Sequence, residues 1–211
     1  MRRRQFMYAG LLSFFGINLS NSSIYRPKKS KLCGTRFTFR SSHDSAKWGK
    51  SHLTYYTKRR DTSDMSRAEW DNSWAAAFRS WSDVCPITFM PTATEKTADI
   101  VIDVSKDKEE GFGERGEILA WAELPSTPDW SGQLLTKFDK SEEWVVKVED
   151  EQRDILLRAV AAHEIGHLLG LDHSFYDSAL MYPYYSPHIW QPQPVDDVPR
   201  IQELYFGENV P

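Results

Sequence analysis

One short stretch in the last third of the 211-residue chain constrains the fold more than any other. Residues 161–174 read AAHEIGHLLGLDHS. His163 and His167 are four residues apart, so on an α-helix their imidazoles lie one turn apart on the same face. Gly170 follows three residues later, and glycine can adopt the left-handed conformation that ends a helix. The stretch therefore predicts a helix with two metal ligands and a sharp turn that brings back His173 as a third.

This set of ligands is typical of a catalytic zinc site. Three neutral imidazole nitrogens leave a fourth coordination position open for water, and zinc lowers the pKa of such a water to around 7. Glu164 lies next to the ligand face, where its carboxylate could take the proton of the attacking water and pass it to a leaving amine. The alternative is a helix with incidental histidines. The full HExxHxxGxxH pattern, with Met181 following in ALMYP, favours the metal site.

The pattern is that of the metzincin clan, and its surroundings resemble the matrixin (matrix metalloproteinase) family. Ser174 directly follows the third histidine, and residues 179–185 read ALMYPYY. Similar segments occur in the family's order, so the resemblance covers about residues 45–207; they lie at 48–55, 77–84, 98–102 and 196–205. The resemblance implies an α+β fold with a twisted, mostly parallel five-stranded sheet, three helices and an active-site cleft above the zinc.

The resemblance also implies roles for the residues of the motif. His163, His167 and His173 would hold one zinc ion. Glu164 would be the general base and acid of an endopeptidase. Met181 would support the site from beneath.

Hydrophobic patterning predicts the remaining elements. Residues 66–69 form an SRAE capping box that starts a helix, and apolar side chains follow at helical spacing: Trp70, Trp74, Ala77, Phe78 and Trp81. Five strands are predicted at 53–57, 87–90, 100–104, 118–123 and 134–138. The metal-binding helix is expected over 154–169 and a last helix over 197–205, which Asp196 and Asp197 are expected to cap.

Substrate-binding residues are assigned by resemblance. The strand at 118–123 is the counterpart of the edge strand that pairs with an extended peptide, which would place Ala120 and Trp121 close to the substrate backbone. Pro183 and Tyr185 resemble the wall of the pocket for the residue after the cut.

Ala159 stands one helical turn before the first histidine, at a family position that often narrows this pocket. Its methyl group predicts a deep pocket that accepts Leu, Met or aromatic side chains. The alternative is that Ala159 only packs in the core.

The chain departs from the family at two further metal sites. Matrixins hold a second, structural zinc with three His and one Asp, but Trp121 and Lys137 stand at family histidine positions, so one zinc ion is predicted. Asp139 and Glu142 match a family calcium pair by spacing, and carboxylates suit this hard cation. Gly113 replaces the Asp that should join them. Calcium is therefore possible, and two solvated surface acids are the alternative.

The two cysteines, Cys33 and Cys85, allow three interpretations. They could form a disulfide, Cys33 could be an idle thiol, or the Cys33 thiolate could fill the fourth zinc position and hold a precursor latent. Matrixin propeptides do this with a PRCGxPD segment, whereas residues 31–37 read KLCGTRF and keep only the Cys and Gly. The position of Cys33 just before the catalytic domain favours the latency role.

The N-terminus differs in kind from the rest of the chain. Three arginines at 2–4 precede an apolar run over 6–19 that is too short to span a bilayer comfortably. This pattern predicts a signal peptide over 1–22, with an uncleaved anchor as the alternative. A short propeptide over 23–42 would follow. Residues 43–211 would form one zinc metalloprotease catalytic domain, since 40% hydrophobic residues suffice for one core.

The resulting hypothesis is a secreted zinc endopeptidase that cleaves extended segments of extracellular proteins. A net charge of −4 argues against a nucleic-acid partner. No other apolar stretch could cross a membrane, so the mature form is expected not to span one. It is expected to be a monomer and to act in the extracellular space or matrix. A catalytically silent metzincin-fold module that binds peptides without cutting them is the alternative, because the structural zinc loop is lost.

Overall fold

The computed structural model describes residues 31–35, 46–58, 65–108 and 111–207. The predicted signal peptide and most of the predicted propeptide lie outside these residues, except for the five residues around Cys33. Within the described ranges, no helix is long and apolar enough to cross a bilayer.

A six-stranded sheet forms one layer of the fold, with the strand order β1-β5-β6-β4-β2-β3. The strands are β1 (Leu32–Cys33), β2 (His52–Thr57), β3 (Thr88–Pro91), β4 (Ile100–Ser105), β5 (Ile118–Ala122) and β6 (Leu134–Asp139). All neighbouring strands are parallel except β5 and β6, which are antiparallel. The five predicted strands are all present. The sixth, β1, is contributed by the predicted propeptide and pairs with β5.

Three helices complete the predicted α+β fold: α1 (Arg67–Ser82), α2 (Leu157–Leu168) and α3 (Asp197–Phe206). The predicted capping box starts α1, because the Ser66 hydroxyl accepts the Glu69 N–H at 3.3 Å and the Glu69 carboxylate accepts the Ser66 N–H at 2.9 Å. Helix α2 begins three residues later than predicted. The residues just before it form β8 (Ile155–Leu156), which pairs with β7 (Trp144–Val145) in a small parallel sheet.

The apolar stripe of α1 faces the core, as its helical spacing predicts. All five stripe residues are at most 3% exposed: Trp70, Trp74, Ala77, Phe78 and Trp81. The Trp81 indole N–H donates to the backbone carbonyl of Ala162 in α2 at 2.8 Å. Eleven of the twelve residues of α2 are buried as well. The helix that carries the predicted metal ligands is therefore packed between α1 and the sheet.

Replacing Trp81 by Phe tests how much the hydrogen bond between α1 and α2 stabilises the fold. Trp70→Phe is the matched control, because Trp70 is fully buried on the same helix and its indole N–H has no hydrogen-bond partner among the described residues. We expect Trp81→Phe to lower the free energy of unfolding by about 1 kcal/mol more than Trp70→Phe does, since only Trp81 loses a buried hydrogen bond. Urea unfolding of the two variants measures the difference, and equal losses would show that the indole bond contributes nothing.

Candidate metal centre

The turn after α2 brings the third histidine back to the first two. Helix α2 ends at Leu168, and Gly170 takes a φ of 107°, the left-handed conformation predicted for it. Its N–H donates to the carbonyl of His167 at 2.8 Å. A Cβ at this position would collide with the backbone carbonyl oxygen of Ala46, so the turn requires glycine. The chain then passes back over the end of the helix and places His173 beside His167.

The three predicted histidine ligands and Cys33 form one cluster, in which a candidate ligand atom of each residue lies within 4.8 Å of the others. The Nε2 atom of His167 lies 3.3 Å from Nε2 of His173 and 3.5 Å from the Cys33 sulfur. Cys33 reaches this place because β1 runs along the edge of the sheet above α2. In the part of the chain that the structure describes, this is the one group of three or more His, Cys, Asp or Glu side chains able to hold a metal ion.

The hydrogen bonds of the histidines fix which nitrogens are free to bind a metal. Nδ1 of His163 lies 2.6 Å from the Leu180 carbonyl oxygen, and Nδ1 of His167 lies 2.7 Å from that of Leu171. A carbonyl oxygen can only accept, so both Nδ1 atoms carry the proton and both Nε2 atoms present a lone pair. Nε2 of His163 is buried and has no partner from any described residue.

Burial also keeps the histidines neutral. It lowers the pKa of His163 to about 4 and that of His173 to about 3, and it lowers the pKa of His167 well below its ordinary value. Neutral imidazole is the form that binds zinc, and three such ligands with a thiol nearby match the preferences of this ion. The residues therefore fit the metal that the sequence predicts.

Glu164 lies against the same cluster and is 1% exposed. Its Oε2 atom accepts the hydroxyl of Thr35 at 3.4 Å, and its Oε1 atom is buried without a hydrogen-bond partner within the described residues. Burial raises the pKa of Glu164 to about 8. Sequence reasoning missed Thr35, since it occupies the variable position of the propeptide segment and no spacing connects it to Glu164.

A buried carboxylate supports the site from below. Met181 is fully buried beneath α2, and a Cβ on Gly166 would collide with its sulfur. The Asp197 carboxylate accepts the N–H groups of Leu180 and Met181 at 2.7 and 3.0 Å. The prediction that Asp196 and Asp197 cap the last helix is wrong, because neither side chain makes a capping hydrogen bond to α3. Asp197 instead holds the segment whose Leu180 carbonyl orients the first histidine.

Residues 31–35 lie in the cleft as an extended segment. The Cys33 N–H donates to the Pro183 carbonyl at 2.9 Å, and the Gly34 N–H donates to the Ala120 carbonyl at 2.7 Å. On the other side, the Tyr185 N–H donates to the Lys31 carbonyl at 3.0 Å. Three of the predicted substrate-binding residues therefore already contact a peptide backbone.

Trp121, another of the five predicted substrate-binding residues, is half-buried on β5. It faces Lys137 directly across the antiparallel pair of β5 and β6, and the Lys137 ammonium lies 5.9 Å from the centre of its ring. The two positions at which the family has histidines are thus neighbours in the sheet. Here an aromatic ring, Trp121, and a cation, Lys137, occupy them.

The disulfide interpretation of the cysteines is wrong, because Cys33 and Cys85 are both free thiols. Cys85 is buried, which raises its pKa to about 11. Burial, together with the nearby Glu164 carboxylate, raises the pKa of the Cys33 thiol in the metal-free structure. Of the three interpretations, the placement of the Cys33 sulfur beside His167 agrees with the latency ligand.

A mainly apolar pocket opens beside the cluster, and Ala159 is one of its lining residues. The pocket walls come from α2, from Leu119 of β5 and from the segment around Met181. Besides Ala159, they include Val160, Leu180, Tyr185 and Ile189. Pro183 lines it as well. Ala159 contributes only a methyl group to the wall that α2 forms.

The candidate calcium residues are buried rather than solvated, because Asp139 is 1% and Glu142 is 2% exposed. One Asp139 oxygen accepts the N–H and hydroxyl of Ser141, each at 2.8 Å, and the other is buried with no partner in the described ranges. Glu142 accepts the Gly116 N–H, and the Arg115 guanidinium lies 3.9 Å from its second oxygen. The alternative of two solvated surface acids is therefore wrong.

Comparison with known proteins agrees with the geometry. A family model described as Matrixin matches residues 47–206. The chain is 32% identical to interstitial collagenase B of Mus musculus over 90% of this chain and 41% of that protein. It is 37% identical to karilysin of Tannerella forsythia, over 76% of this chain and 33% of that protein, and 35% identical to interstitial collagenase of Sus scrofa, over 94% and 42%. The chain thus spans between one third and about two fifths of the length of these relatives.

The depressed histidine pKa values predict how the metal-free protein responds to acid. Below pH 6.5 the unfolded chain binds protons that the folded cluster cannot, so stability is complete above pH 6.5 and falls as the pH drops towards 4. We expect a net loss of roughly 2 kcal/mol per pH unit between pH 6 and pH 5, because the three histidines together lose roughly 3 kcal/mol and the Glu164 carboxyl, whose pKa is raised in the folded chain, regains about 1 kcal/mol. Urea unfolding in the presence of a chelator at pH 7, 6 and 5 measures this slope.

Two variants separate the cluster from ordinary histidines in that experiment. His173→Gln should reduce the loss by about 1 kcal/mol per pH unit, because one of the three histidine protons is removed. His52→Gln, at an exposed position, should leave it unchanged. A slope that is the same in all three proteins would contradict the assignment of the cluster as neutral.

Proposed function

The chain belongs to the matrixin family of zinc metalloendopeptidases, and on that premise we propose that it cleaves extended segments of extracellular proteins with Glu164 as general base. One observation carries the proposal. A buried carboxylate lies beside three clustered histidines, two of which present Nε2 lone pairs, at the floor of a cleft in which an extended peptide segment is already held by backbone hydrogen bonds.

The histidines would hold the zinc ion through their Nε2 atoms. When bound, zinc supplies a Lewis acid that polarises the scissile carbonyl and lowers the pKa of water at the site. Glu164 accepts a proton from the attacking water on a carboxylate oxygen and donates it to the leaving amine. Met181 and Asp197 keep the ligands in place from below.

The substrate would take the position that residues 31–35 occupy in the precursor. The Ala120 carbonyl, the Pro183 carbonyl and the Tyr185 N–H are backbone groups that bind an extended chain without regard to its sequence. Trp121, next along β5, would lie beside the substrate backbone. The pocket lined by Ala159 would take the side chain of the residue after the cut, with Leu, Met or an aromatic residue preferred.

Residues 31–35 would also keep the precursor inactive. Two contacts support this: the Cys33 sulfur lies within the ligand cluster, where a thiolate could fill the fourth zinc position, and the Thr35 hydroxyl donates to Glu164. Thr35 is held there by the backbone of Ala122, whose N–H donates to the Thr35 hydroxyl oxygen at 2.9 Å. The metal and the base would thus both be covered by one short segment.

The proposal has two further parts, which are secretion and calcium binding. Secretion is supported by the arginines and the apolar run at the N-terminus, which lie outside the described residues. Calcium binding by Asp139 and Glu142 is supported by their burial and by the unpaired Asp139 oxygen noted above.

Cleavage of an unbiased peptide mixture, with products read by mass spectrometry, tests the catalytic role of Glu164. The zinc-loaded full chain with Cys33→Ala should cut, and a chelator should stop it. Adding Glu164→Ala should lower the rate by about 10²–10⁴-fold, because proton transfer is lost. Adding Glu203→Gln, an exposed acid on α3, should change nothing. The unsubstituted chain should cut at least about ten times more slowly than Cys33→Ala if the thiol blocks the metal.

Either of two results would contradict this account. Full activity in the Glu164→Ala variant would remove the proposed base. A folded, zinc-loaded chain with both Cys33→Ala and Thr35→Ala, which removes both side chains that cover the metal position and the base, would favour the silent peptide-binding module if it cuts nothing.

Ala159→Leu tests the depth of the pocket in the same background. The added methylene groups should fill it, so cleavage before Leu, Met and Phe should fall at least about tenfold relative to cleavage before Ala. Ala75→Leu, on the exposed face of α1, serves as the control for a general effect of the substitution. An unchanged product profile would place Ala159 in the core alone.

A further inference from the structure

A second cavity adjoins the pocket lined by Ala159, and Tyr184 and Tyr185 contribute to both. We call it the acidic groove, because four of its lining residues are acids: Glu142, Glu149, Asp150 and Glu151. It lies on the same side of the ligand cluster as the pocket for the residue after the cut. A peptide chain leaving that pocket would therefore pass along the groove.

Lys31 extends into the acidic groove. Its ammonium group donates to the backbone carbonyls of Glu151 at 3.2 Å and Asp154 at 3.4 Å. It also lies 5.5 Å from the centre of the Tyr185 ring. Two carbonyl oxygens and an aromatic face are ligands for a cation rather than for an apolar side chain.

The carbonyls that hold the ammonium group are fixed by the fold. The Asp154 carboxylate accepts the N–H groups of Glu149 and Asp150, each at 2.9 Å, which closes the loop. The Tyr185 hydroxyl accepts the Leu156 N–H at 2.8 Å, which holds the ring beside the loop. The site is therefore built by the catalytic domain itself and does not depend on Lys31 for its shape.

The charges around the groove also favour a cation. Its two arginines, Arg115 and Arg153, are both engaged with Glu143, at 2.6 and 3.3 Å. Burial lowers the pKa of Lys31, while Glu142 and Asp154 act in the opposite direction and favour its charged form. A positive side chain that enters the groove thus meets an excess of negative charge.

We infer that the acidic groove is a subsite for a basic side chain of the substrate, Lys or Arg, two or three residues after the cut. Lys31 is two residues from Cys33, which stands at the metal ligands, and an extended chain advances about 3.3 Å per residue. Lys31 fills the subsite in the precursor, and a basic residue of the substrate takes its place once the segment leaves. This inference rests on the proposed function, because it assigns part of the same cleft.

Matched peptides test the preference with the zinc-loaded full chain carrying Cys33→Ala and Lys31→Met, so that Lys31 no longer fills the groove. The peptides share one cleavable sequence and differ only at the second and third residues after the cut, which are Lys or norleucine. We expect kcat/KM to be about 3–10-fold higher with Lys at one of these positions, the range for a partly exposed cation on carbonyls, a ring and nearby acids. Asp150→Asn with Glu151→Gln should at least halve the ratio, whereas Glu203→Gln should not change it.

Equal kcat/KM for all peptides would overturn the subsite and leave the endopeptidase intact. Failure to cut any peptide would overturn the proposed function instead, so the subsite is also tested without activity. In the full chain carrying Glu164→Ala, Lys31→Met should speed amide exchange at Cys33 and Gly34 about 3–10-fold, because the segment loses its cation anchor. Lys147→Met, at an exposed position, is the control. Unchanged exchange would show that the groove does not bind a cation.

Discussion

The hydrogen bond from Nδ1 of His163 to the Leu180 carbonyl joins the two halves of the site. Helix α2 supplies the histidine, and the segment after the third ligand supplies the carbonyl. The Asp197 carboxylate on α3 holds that segment through the Leu180 and Met181 N–H groups. One buried acid, far from the ligands in sequence, therefore determines which nitrogen of His163 faces the metal position, because it fixes the carbonyl that accepts the hydrogen bond from Nδ1–H.

The precursor segment and the proposed substrate compete for the same groups. Backbone atoms of Ala120, Pro183 and Tyr185 bind residues 31–35 without reading their side chains. Only two of these side chains, Cys33 and Thr35, contact the ligand cluster or the base. In the proposed precursor, strand addition would supply the general affinity, and a thiol and a hydroxyl would supply the block.

Sequence reasoning predicted features that depend on near neighbours. The capping box, the tryptophan stripe of α1 and the left-handed Gly170 all follow from spacing within one or two helical turns, and the structure has each of them. It missed β1, the role of Asp197 and the contact of Thr35 with Glu164. These involve partners separated by 16 to 129 residues, which no local pattern can specify. The burial of Asp139 was missed for a similar reason, since it depends on packing around the whole loop.

The pair formed by Trp121 and Lys137 shows how the edge of the cleft is maintained in this chain. The resemblance expects histidines of a structural zinc site at both positions, and here they stand directly opposite each other on antiparallel strands. A cation over an aromatic face across two strands stabilises the pairing without a metal, typically by about 0.5–1 kcal/mol at an exposed site. Since β5 presents Ala120 to the bound segment from this same strand, the pair supports the edge on which peptide binding depends.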